Sequence, residues 1–124
     1  MNIDRKYKIF ARNLVDESLE EGLVSEARVK QVLEALVQQK PRGLKQILRA
    51  YEKFIEDKIR FTTAKIEHAG ELSEEAISGI KRQLEAEYGR SITVELKQVA
   101  TLIAGLRISI GDDVIDNSVA GRLN

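Results

Sequence analysis

The sequence predicts an α+β protein, with a small helical bundle over residues 1–60 followed by a β-α-β-β(-α) lobe over residues 61–124 that contains a C-terminal hairpin. Apolar residues recur at helical spacing up to about residue 60, after which apolar and polar residues alternate and glycines become frequent. Charge also divides the chain, since residues 1–62 carry 13 basic and 10 acidic side chains and residues 63–124 carry 7 and 10. We therefore place the domain boundary near Arg60 and Phe61.

Three amphipathic helices are predicted in the bundle. The first covers residues 3–21 and ends at Gly22, which suits a left-handed cap. Ser25 caps the second helix, and Pro41 ends it and stands in the first turn of the third. The apolar stripes of the three helices are, in order, Tyr7, Phe10, Ala11, Leu14, Val15 and Leu19; Val29, Val32, Leu33, Leu36 and Val37; and Leu44, Ile47, Leu48, Tyr51, Ile55 and Ile59.

These stripes are too narrow for helices that are buried all round, so the three helices are expected to share one seam and leave a groove for a further helix. Charged substitutions at Leu14, Leu33 or Leu48 should then unfold the bundle. The candidate residues for the partner-helix groove are Phe10, Leu14, Leu33, Leu36, Leu48 and Tyr51.

The lobe begins with a strand from Phe61, in which Thr62, Ala64, Ile66 and His68 share one face. A helix follows from its cap Ser73 to Gly89. Two more strands are predicted over residues 92–97 and 106–110. The turn at residues 111–113 then leads into a strand at residues 114–115, and a short helical end starts at Ser118.

Composition excludes several classes of function. The absence of cysteine removes disulfides, thiolate nucleophiles and zinc-thiolate sites, and it favours an intracellular protein. The N-terminus is charged and lacks the apolar run of a signal peptide or membrane span. A formal net charge of zero provides no overall attraction to nucleic acid or to anionic membranes. One histidine, no tryptophan and six aromatic residues leave little material for catalysis or for a metal site, so we expect no cofactor, metal or bound nucleotide.

Three features of the sequence could carry chemistry, and each also has a structural interpretation that is favoured. His68 ends an alternating strand and has no second histidine, cysteine or nucleophile motif to work with. The acidic residues 112, 113 and 116 lack the spacing of a calcium loop and suit a tight turn. Gly105 and Gly111 do not belong to a phosphate-binding motif.

A basic segment lies between residues 40 and 60. It contains seven Lys or Arg residues, offset by Glu52, Glu56 and Asp57. A solvated helix face is the favoured interpretation, and a small RNA-binding module that uses this helix is the alternative function. RNA affinity would fall steeply with salt, whereas the docking of an apolar helix would not.

The C-terminal segment carries a family resemblance. Residues 102–123 read Leu-Ile-Ala-Gly-Leu-Arg-Ile-Ser-Ile-Gly-Asp-Asp-Val-Ile-Asp-Asn-Ser-Val-Ala-Gly-Arg-Leu. This resembles the C-terminal signature of the delta subunit of F-type ATP synthases, which is related to the mitochondrial oligomycin-sensitivity-conferring subunit. Ala104 and Asn117 stand where the family has glycines. The matching signature residues are Gly105, Gly111, Asp112, Val114, Ile115, Asp116, Ser118 and Arg122.

The resemblance covers residues 61–124 and implies a non-catalytic subunit of the peripheral stalk, which links the catalytic head of a proton-translocating ATP synthase to its membrane sector. Only 60 residues precede Phe61, so the helical domain is short for this family. The implied partners are the N-terminal helices of alpha subunits for the bundle and b-type stalk subunits for the lobe, with no nucleic acid. The implied location is the cytoplasmic face of the bacterial inner membrane, with membrane contact only through the complex.

Overall fold

The computed structural model describes residues 3–99 and 105–118. The chain separates into two compact units, Met1–Ile59 and Arg60–Asn124. The presence of helices and strands confirms the predicted α+β class. The elements in chain order are α1 (Arg5–Glu17), β1 (Leu19–Glu20), β2 (Leu23–Val24), α2 (Glu26–Gln39), α3 (Leu44–Thr62), β3 (Thr63–His68), α4 (Glu74–Tyr88), β4 (Thr93–Gln98), β5 (Gly105–Ile110) and β6 (Asp113–Ser118).

The first helix is shorter than the sequence predicts. It ends at Glu17, and Leu19 and Glu20 form a small antiparallel ladder with Leu23 and Val24 instead. The two residues of the connecting turn, Glu21 and Gly22, have φ angles of 54° and 82°. Two consecutive positive φ angles are typical of a type I′ hairpin turn, so Gly22 serves a hairpin and not a helix cap. The prediction of a helix over residues 3–21 is wrong in its last turn.

Polar caps define α2. The Ser25 side chain accepts a hydrogen bond from the backbone N–H of Arg28, as predicted. The helix ends at Gln39, and the next residue, Lys40, has a left-handed conformation. Pro41 was expected in the first turn of the third helix, but α3 begins at Leu44, after Gly43. Gly43 has φ +76° and lies against the ring of Tyr7, so the chain turns there before the helix can start.

The bundle core consists of one cluster of buried side chains from α1, α2 and α3, and Leu14, Leu48 and Ile55 pack against its edge. A buried polar pair belongs to this cluster. Ser18 Oγ donates to the Leu14 carbonyl at 2.7 Å and lies 2.6 Å from Tyr51 Oη. The core members are Ala11, Val15, Val32, Leu36, Ile47, Ala50 and Tyr51.

The lobe is built on a four-stranded sheet with strand order β4-β3-β5-β6. Strand β3 is parallel to β4 and antiparallel to β5, and β5 and β6 form a hairpin. The strand expected from Phe61 starts at Thr63, because Phe61 and Thr62 belong to the last turn of α3. A parallel pair needs a crossover connection, which α4 provides between β3 and β4.

Helix α4 has the limits that its capping residues predict. Ser73 Oγ accepts a hydrogen bond from the Ala76 N–H, and Gly89 ends the helix with φ +66°. Among the residues of the lobe that the structure describes, the buried core consists of Ala64, Ile66, Leu84, Ile92, Ile108 and Ile110. The predicted hairpin turn is confirmed at Gly111 and Asp112, while Asp113 already pairs with Ile110 at the start of β6. The helical end expected after Ser118 lies outside the described residues.

Candidate interaction surfaces

The signature turn is in close contact with the last turn of α3. Gly111 has φ +59°, and a Cβ atom at this position would lie 2.4 Å from Cδ1 of Phe61. The Gly111 N–H donates to the Arg60 carbonyl at 3.0 Å. A glycine is therefore needed both for the backbone conformation and for the space that the Phe61 ring occupies.

The two acidic residues of this turn bind groups of the protein. Arg60 Nη1 lies 2.9 Å from Asp112 Oδ1, and Tyr88 Oη donates to Asp113 Oδ2 at 2.9 Å. The second bond raises the pKa of Tyr88, because a carboxylate partner favours the protonated phenol. Within the described parts of the chain, no group of three or more His, Cys, Asp or Glu residues could hold a metal ion.

An arginine that contacts two aromatic rings completes this cluster, and no sequence pattern indicates it. Arg90 Nε donates to the Phe61 carbonyl at 2.8 Å. Its guanidinium lies 5.9 Å from the centre of the Phe61 ring and 4.9 Å from that of Tyr88. The contact joins residues 29 positions apart, so periodicity within one element could not reveal it. We call Arg60, Phe61, Tyr88, Arg90 and residues 111–113 the turn cluster.

The other signature residues lie along the hairpin. Gly105 has φ +90° and lies opposite Ser118 in the backbone ladder between β5 and β6, and Asp116 lies opposite Arg107 in the same ladder. Val114 and Ile115 are exposed by 63% and 37%, which places apolar side chains on the surface of the edge strand. Asn117 lies in β6 opposite Leu106 and not in a turn. Arg122 lies outside the residues that the structure describes.

His68 ends β3 and makes a local contact. Its Nδ1 is hydrogen-bonded to the carbonyl of Gly70, two residues further along the chain. This contact links the histidine to the loop before α4 and agrees with the structural interpretation.

The six groove candidates of the bundle do not share one surface. Leu36 and Tyr51 are 3% exposed and belong to the core, so neither of them lines an open groove. Phe10 and Leu33 are exposed by 41% and 37%. Leu14 and Leu48 are half-buried and pack against the core cluster. An apolar stripe on a helix contains both core and surface positions. The spacing of apolar residues in the sequence does not show which of them are buried.

Each unit has an apolar groove that combines residues from distant parts of the sequence. The lobe groove encloses about 400 Å³ between α4 and strands β5 and β6, and is lined by Ile80, Gln83, Leu84, Glu87, Leu106, Ile108 and Ile115. The bundle groove encloses about 350 Å³ and is lined by Val24, Glu26, Val29, Ile55 and Ile59. Both would suit apolar side chains of a partner.

The basic segment is partly neutralised within the protein. Lys53 Nζ lies 3.8 Å from Asp57, one turn further along α3. Arg60 is the partner of Asp112 in the turn cluster. These pairs agree with the interpretation of α3 as a solvated helix face.

Comparison of the sequence with known proteins points to a family of structural, non-catalytic subunits of F-type ATP synthases. The profile of the family described as ATP synthase delta (OSCP) subunit matches residues 6–124. The chain belongs to this family. No helix of the described residues has the length and the apolar character needed to cross a membrane.

Curated relatives carry the same description. The ATP synthase subunit delta of Thermobifida fusca is 34% identical over 112 residues, which cover 90% of this chain and 41% of the relative. That of Desulfosudis oleivorans is 27% identical over 122 residues, which cover 95% and 65%. That of Chromobacterium violaceum is 42% identical over 60 residues, which cover 48% and 34%. The chain thus spans about one third to two thirds of the length of these relatives.

Two solved structures are also similar. A Polytomella F-ATP synthase chain matches 50% of this chain and 80% of its own length, with a TM-score of 0.43 and 17% identity. A chain of the Toxoplasma gondii mitochondrial ATP synthase hexamer matches 96% of this chain and 65% of its own length, with a TM-score of 0.45 and 16% identity.

Proposed function

We propose that this protein is a connector in the peripheral stalk of a proton-translocating F-type ATP synthase, where it links the catalytic head to the membrane sector. The observation that carries the proposal is the family match over residues 6–124, which includes the signature hairpin. The protein contributes to ATP synthesis by binding its neighbours, and the chemistry takes place in other subunits.

The bundle is the proposed site for the N-terminal helices of alpha subunits. Exposed apolar side chains on α1 and α2, those of Phe10 and Leu33, support a contact of this kind. A partner helix would cover these side chains with its own apolar stripe, as in other helix-in-groove complexes. Leu14 and Leu48 are partly buried at the edge of the core, and their remaining exposed surface would also contact the partner helix.

The lobe is the proposed site for the b-type stalk subunits. Its groove is formed by Ile80 on α4 and by Leu106, Ile108 and Ile115 on the hairpin. An apolar surface between a helix and a sheet can accept a further helix beside α4, because that helix would complete the layer on this face of the sheet. Membrane association would then come from the complex, at the cytoplasmic face of the bacterial inner membrane.

Native purification tests the proposal. The tagged protein is isolated from its own cells at moderate salt, and mass spectrometry identifies the proteins that accompany it. We expect alpha and b-type subunits of the ATP synthase to be recovered in amounts comparable to that of the tagged chain. Nuclease-sensitive RNA in place of these subunits would contradict the proposal and support the RNA-binding alternative.

Two matched variants test the lobe contact. Ile115→Asp places a charge in the lobe groove, and Leu96→Asp places one on β4, where the leucine is 46% exposed and outside the groove. We expect Ile115→Asp to lose the b-type subunits and Leu96→Asp to retain them. Equal recovery of b-type subunits with both variants would show that the lobe groove is not the site.

A further inference from the structure

Strand β4 forms one edge of the lobe sheet, since β3 is the only described strand that pairs with it. An edge strand keeps a row of backbone N–H and C=O groups that its own sheet does not use, and another strand can pair with them. Five of the six residues of β4 are exposed, and Val94 is half-buried. The outer side of β4 can therefore accept a strand from another chain.

The two faces of β4 differ in chemistry. Side chains alternate along a strand, so Leu96 lies on the same face as its ladder neighbour Ile66 of the lobe core. Ile66 is fully buried, whereas Leu96 is 46% exposed because β4 is the last strand on this side of the sheet. Glu95 and Lys97 lie on the opposite face and are exposed. Within the described parts of the chain, neither of them forms an ion pair.

The sequence of β4 is complementary to itself when two copies run antiparallel. If Leu96 lies opposite Leu96 of a second copy, Glu95 of each chain lies opposite Lys97 of the other. Opposite charges that face each other across an antiparallel pair stabilise it, and the two leucines would cover each other on the other face. A parallel pair in the same register would instead place like charges side by side. The antiparallel orientation is therefore favoured.

The neighbouring strands extend this pattern of charge. In the ladder between β3 and β4, Lys65 lies beside Glu95 and Glu67 lies beside Lys97. Arg107 of β5 lies opposite Glu67, with 3.9 Å between Nη1 and Oε2. A row across two paired copies would contain Lys65 and Glu95 of one chain, followed by Lys97, Glu67 and Arg107 of the second copy. The sign of the charge would alternate at every step, including the step between the two chains.

The other edge strand, β6, lacks this complementarity. Its sequence contains acidic residues at positions 113 and 116 and no basic residue. Asp113 also accepts a hydrogen bond from Tyr88 of the same chain. Two copies of β6 could not exchange ion pairs, so self-association is expected at β4.

We propose that this protein self-associates through β4, which pairs with β4 of a second copy in antiparallel orientation and joins the two lobe sheets into one. The two-fold axis passes between the two Leu96 residues, so both chains use the same surface. Alternating charges on an edge strand disfavour pairing with strands that do not present the reverse order. The contact involves six residues of each chain, which is small for a permanent interface, so the dimer is expected to be reversible.

The β4 edge lies outside the lobe groove, because none of its residues lines that groove. The proposal therefore does not depend on the stalk function. The recovery of alpha and b-type subunits is measured in a separate experiment, so a failure of self-association leaves the proposed function standing.

Sedimentation velocity of the full chain tests the proposal. We expect the average mass to rise from that of one chain towards that of two as the protein concentration increases from about 5 to about 500 μM. A monomer at every concentration would overturn the proposal. Assemblies that grow beyond two chains would also overturn it, because a two-fold contact closes after two copies.

Charge reversals test the register. Glu95→Lys and Lys97→Glu each place like charges opposite one another, and each should weaken self-association at least about tenfold. A mixture of the two variants restores both ion pairs, so it should dimerise at a concentration at which each variant alone is monomeric. Thermal melts show whether each variant is folded.

Matched controls change the same charges elsewhere in the lobe. Glu71→Lys and Lys81→Glu alter exposed residues outside β4, and we expect both to dimerise like the wild type. If these controls weaken dimerisation as much as the β4 variants, the effect reflects net charge and the proposal fails. It also fails if the mixture of Glu95→Lys and Lys97→Glu stays monomeric.

Cross-linking locates the contact independently of charge. The chain has no cysteine, so a single introduced thiol reports on one position. Leu96→Cys places the thiol on the two-fold axis, where opposite Cβ atoms are about 5 Å apart, and mild oxidation should yield a disulfide-linked dimer. The control is Val114→Cys on β6, where the valine is 63% exposed, and it should yield several-fold less dimer. Equal cross-linking of the two variants would overturn the assignment to β4.

Discussion

Gly111 and Phe61 are in direct contact, with the ring of Phe61 filling the space where any other residue at position 111 would place its Cβ. The contact joins the signature turn to the last turn of α3, and the hydrogen bond from the Gly111 N–H to the Arg60 carbonyl holds both together. The glycine of the signature is therefore explained by packing as well as by its positive φ.

Substituting Gly111 by alanine should destabilise the lobe. The positive φ costs an alanine about 1 kcal/mol, and displacement of the Phe61 ring adds about 1–3 kcal/mol. We expect the free energy of unfolding to fall by about 2–4 kcal/mol in urea titrations followed by circular dichroism. Gly79→Ala provides the control, since Gly79 lies inside α4 and a Cβ added there would have no neighbouring atom within 4 Å. That change should stabilise the lobe by up to about 1 kcal/mol. Unchanged stability of Gly111→Ala would refute the packing explanation.

The buried hydroxyl pair of the bundle makes a second prediction. Ser18→Ala leaves Tyr51 Oη without its partner at 2.6 Å, and an unsatisfied buried group costs about 1–3 kcal/mol. Tyr51→Phe should cost less, because Ser18 Oγ keeps its bond to the Leu14 carbonyl. Thermal melts of the two variants give the comparison. A smaller loss for Ser18→Ala than for Tyr51→Phe would contradict this order.

Because of the buried pair of Ser18 and Tyr51, the stability of the bundle should depend on pH in the alkaline range. Burial raises the pKa of Tyr51 above its ordinary value of 10.0. The folded protein thus favours the protonated phenol, so this contribution is fully present below about pH 10 and is lost as pH rises through the raised pKa. Urea midpoints between about pH 8 and pH 11 should fall more steeply for the wild type than for Tyr51→Phe. Parallel curves would argue against a protonated Tyr51.

Adjacent turns of α2 offer a matched pair of leucines. Leu36 is 3% exposed in the core and Leu33 is 37% exposed. Leu36→Asp should unfold the bundle, because it buries a charge without a partner. Leu33→Asp should cost less than about 1 kcal/mol. The helical circular dichroism signal distinguishes the outcomes. Loss of the bundle in both variants would favour the sequence-based expectation that all stripe leucines are core residues.

Arg90 should stabilise the lobe through its contacts with Phe61 and Tyr88. Arg90→Ala removes one hydrogen bond to a backbone carbonyl and two ring contacts, and we expect a loss of about 1–3 kcal/mol. Arg82→Ala is the control, because Arg82 is exposed on α4. Urea titration compares the two. Losses of equal size would show that the stacked position contributes nothing.

The sequence predicts correctly where a helix begins or ends when a single capping residue determines that boundary. Ser25 and Ser73 cap their helices because a serine side chain can accept a backbone N–H, whatever the rest of the fold does. Gly89 ends α4 for a similarly local reason. Alternation also predicts β3 and β5, whose inward residues Ile66 and Ile108 are buried.

The sequence misleads where a tertiary contact overrides a local pattern. Leu19 continues the apolar stripe of α1, but the helix ends before it because Ser18 is held in the core by Tyr51 and the chain then forms a hairpin. Phe61 alternates with the residues of β3, yet it belongs to α3 and packs against Gly111. A groove on the bundle was predicted, but the residues that line it were not, because its walls come from elements far apart in the chain, as with Val24 and Ile59.

The position of β3 between β4 and β5 has a consequence for how the lobe forms during synthesis. β3 leaves the ribosome before both of its neighbours, and the first of them to follow is β4, which becomes available only after α4. The ladder between β3 and β5 pairs Ala64 with Ile110, which is distant in sequence. Forming this ladder therefore costs the entropy of closing a long loop. An emerging chain therefore exposes the apolar face of β3 until the hairpin has been made, and this interval is when the lobe most needs protection from aggregation.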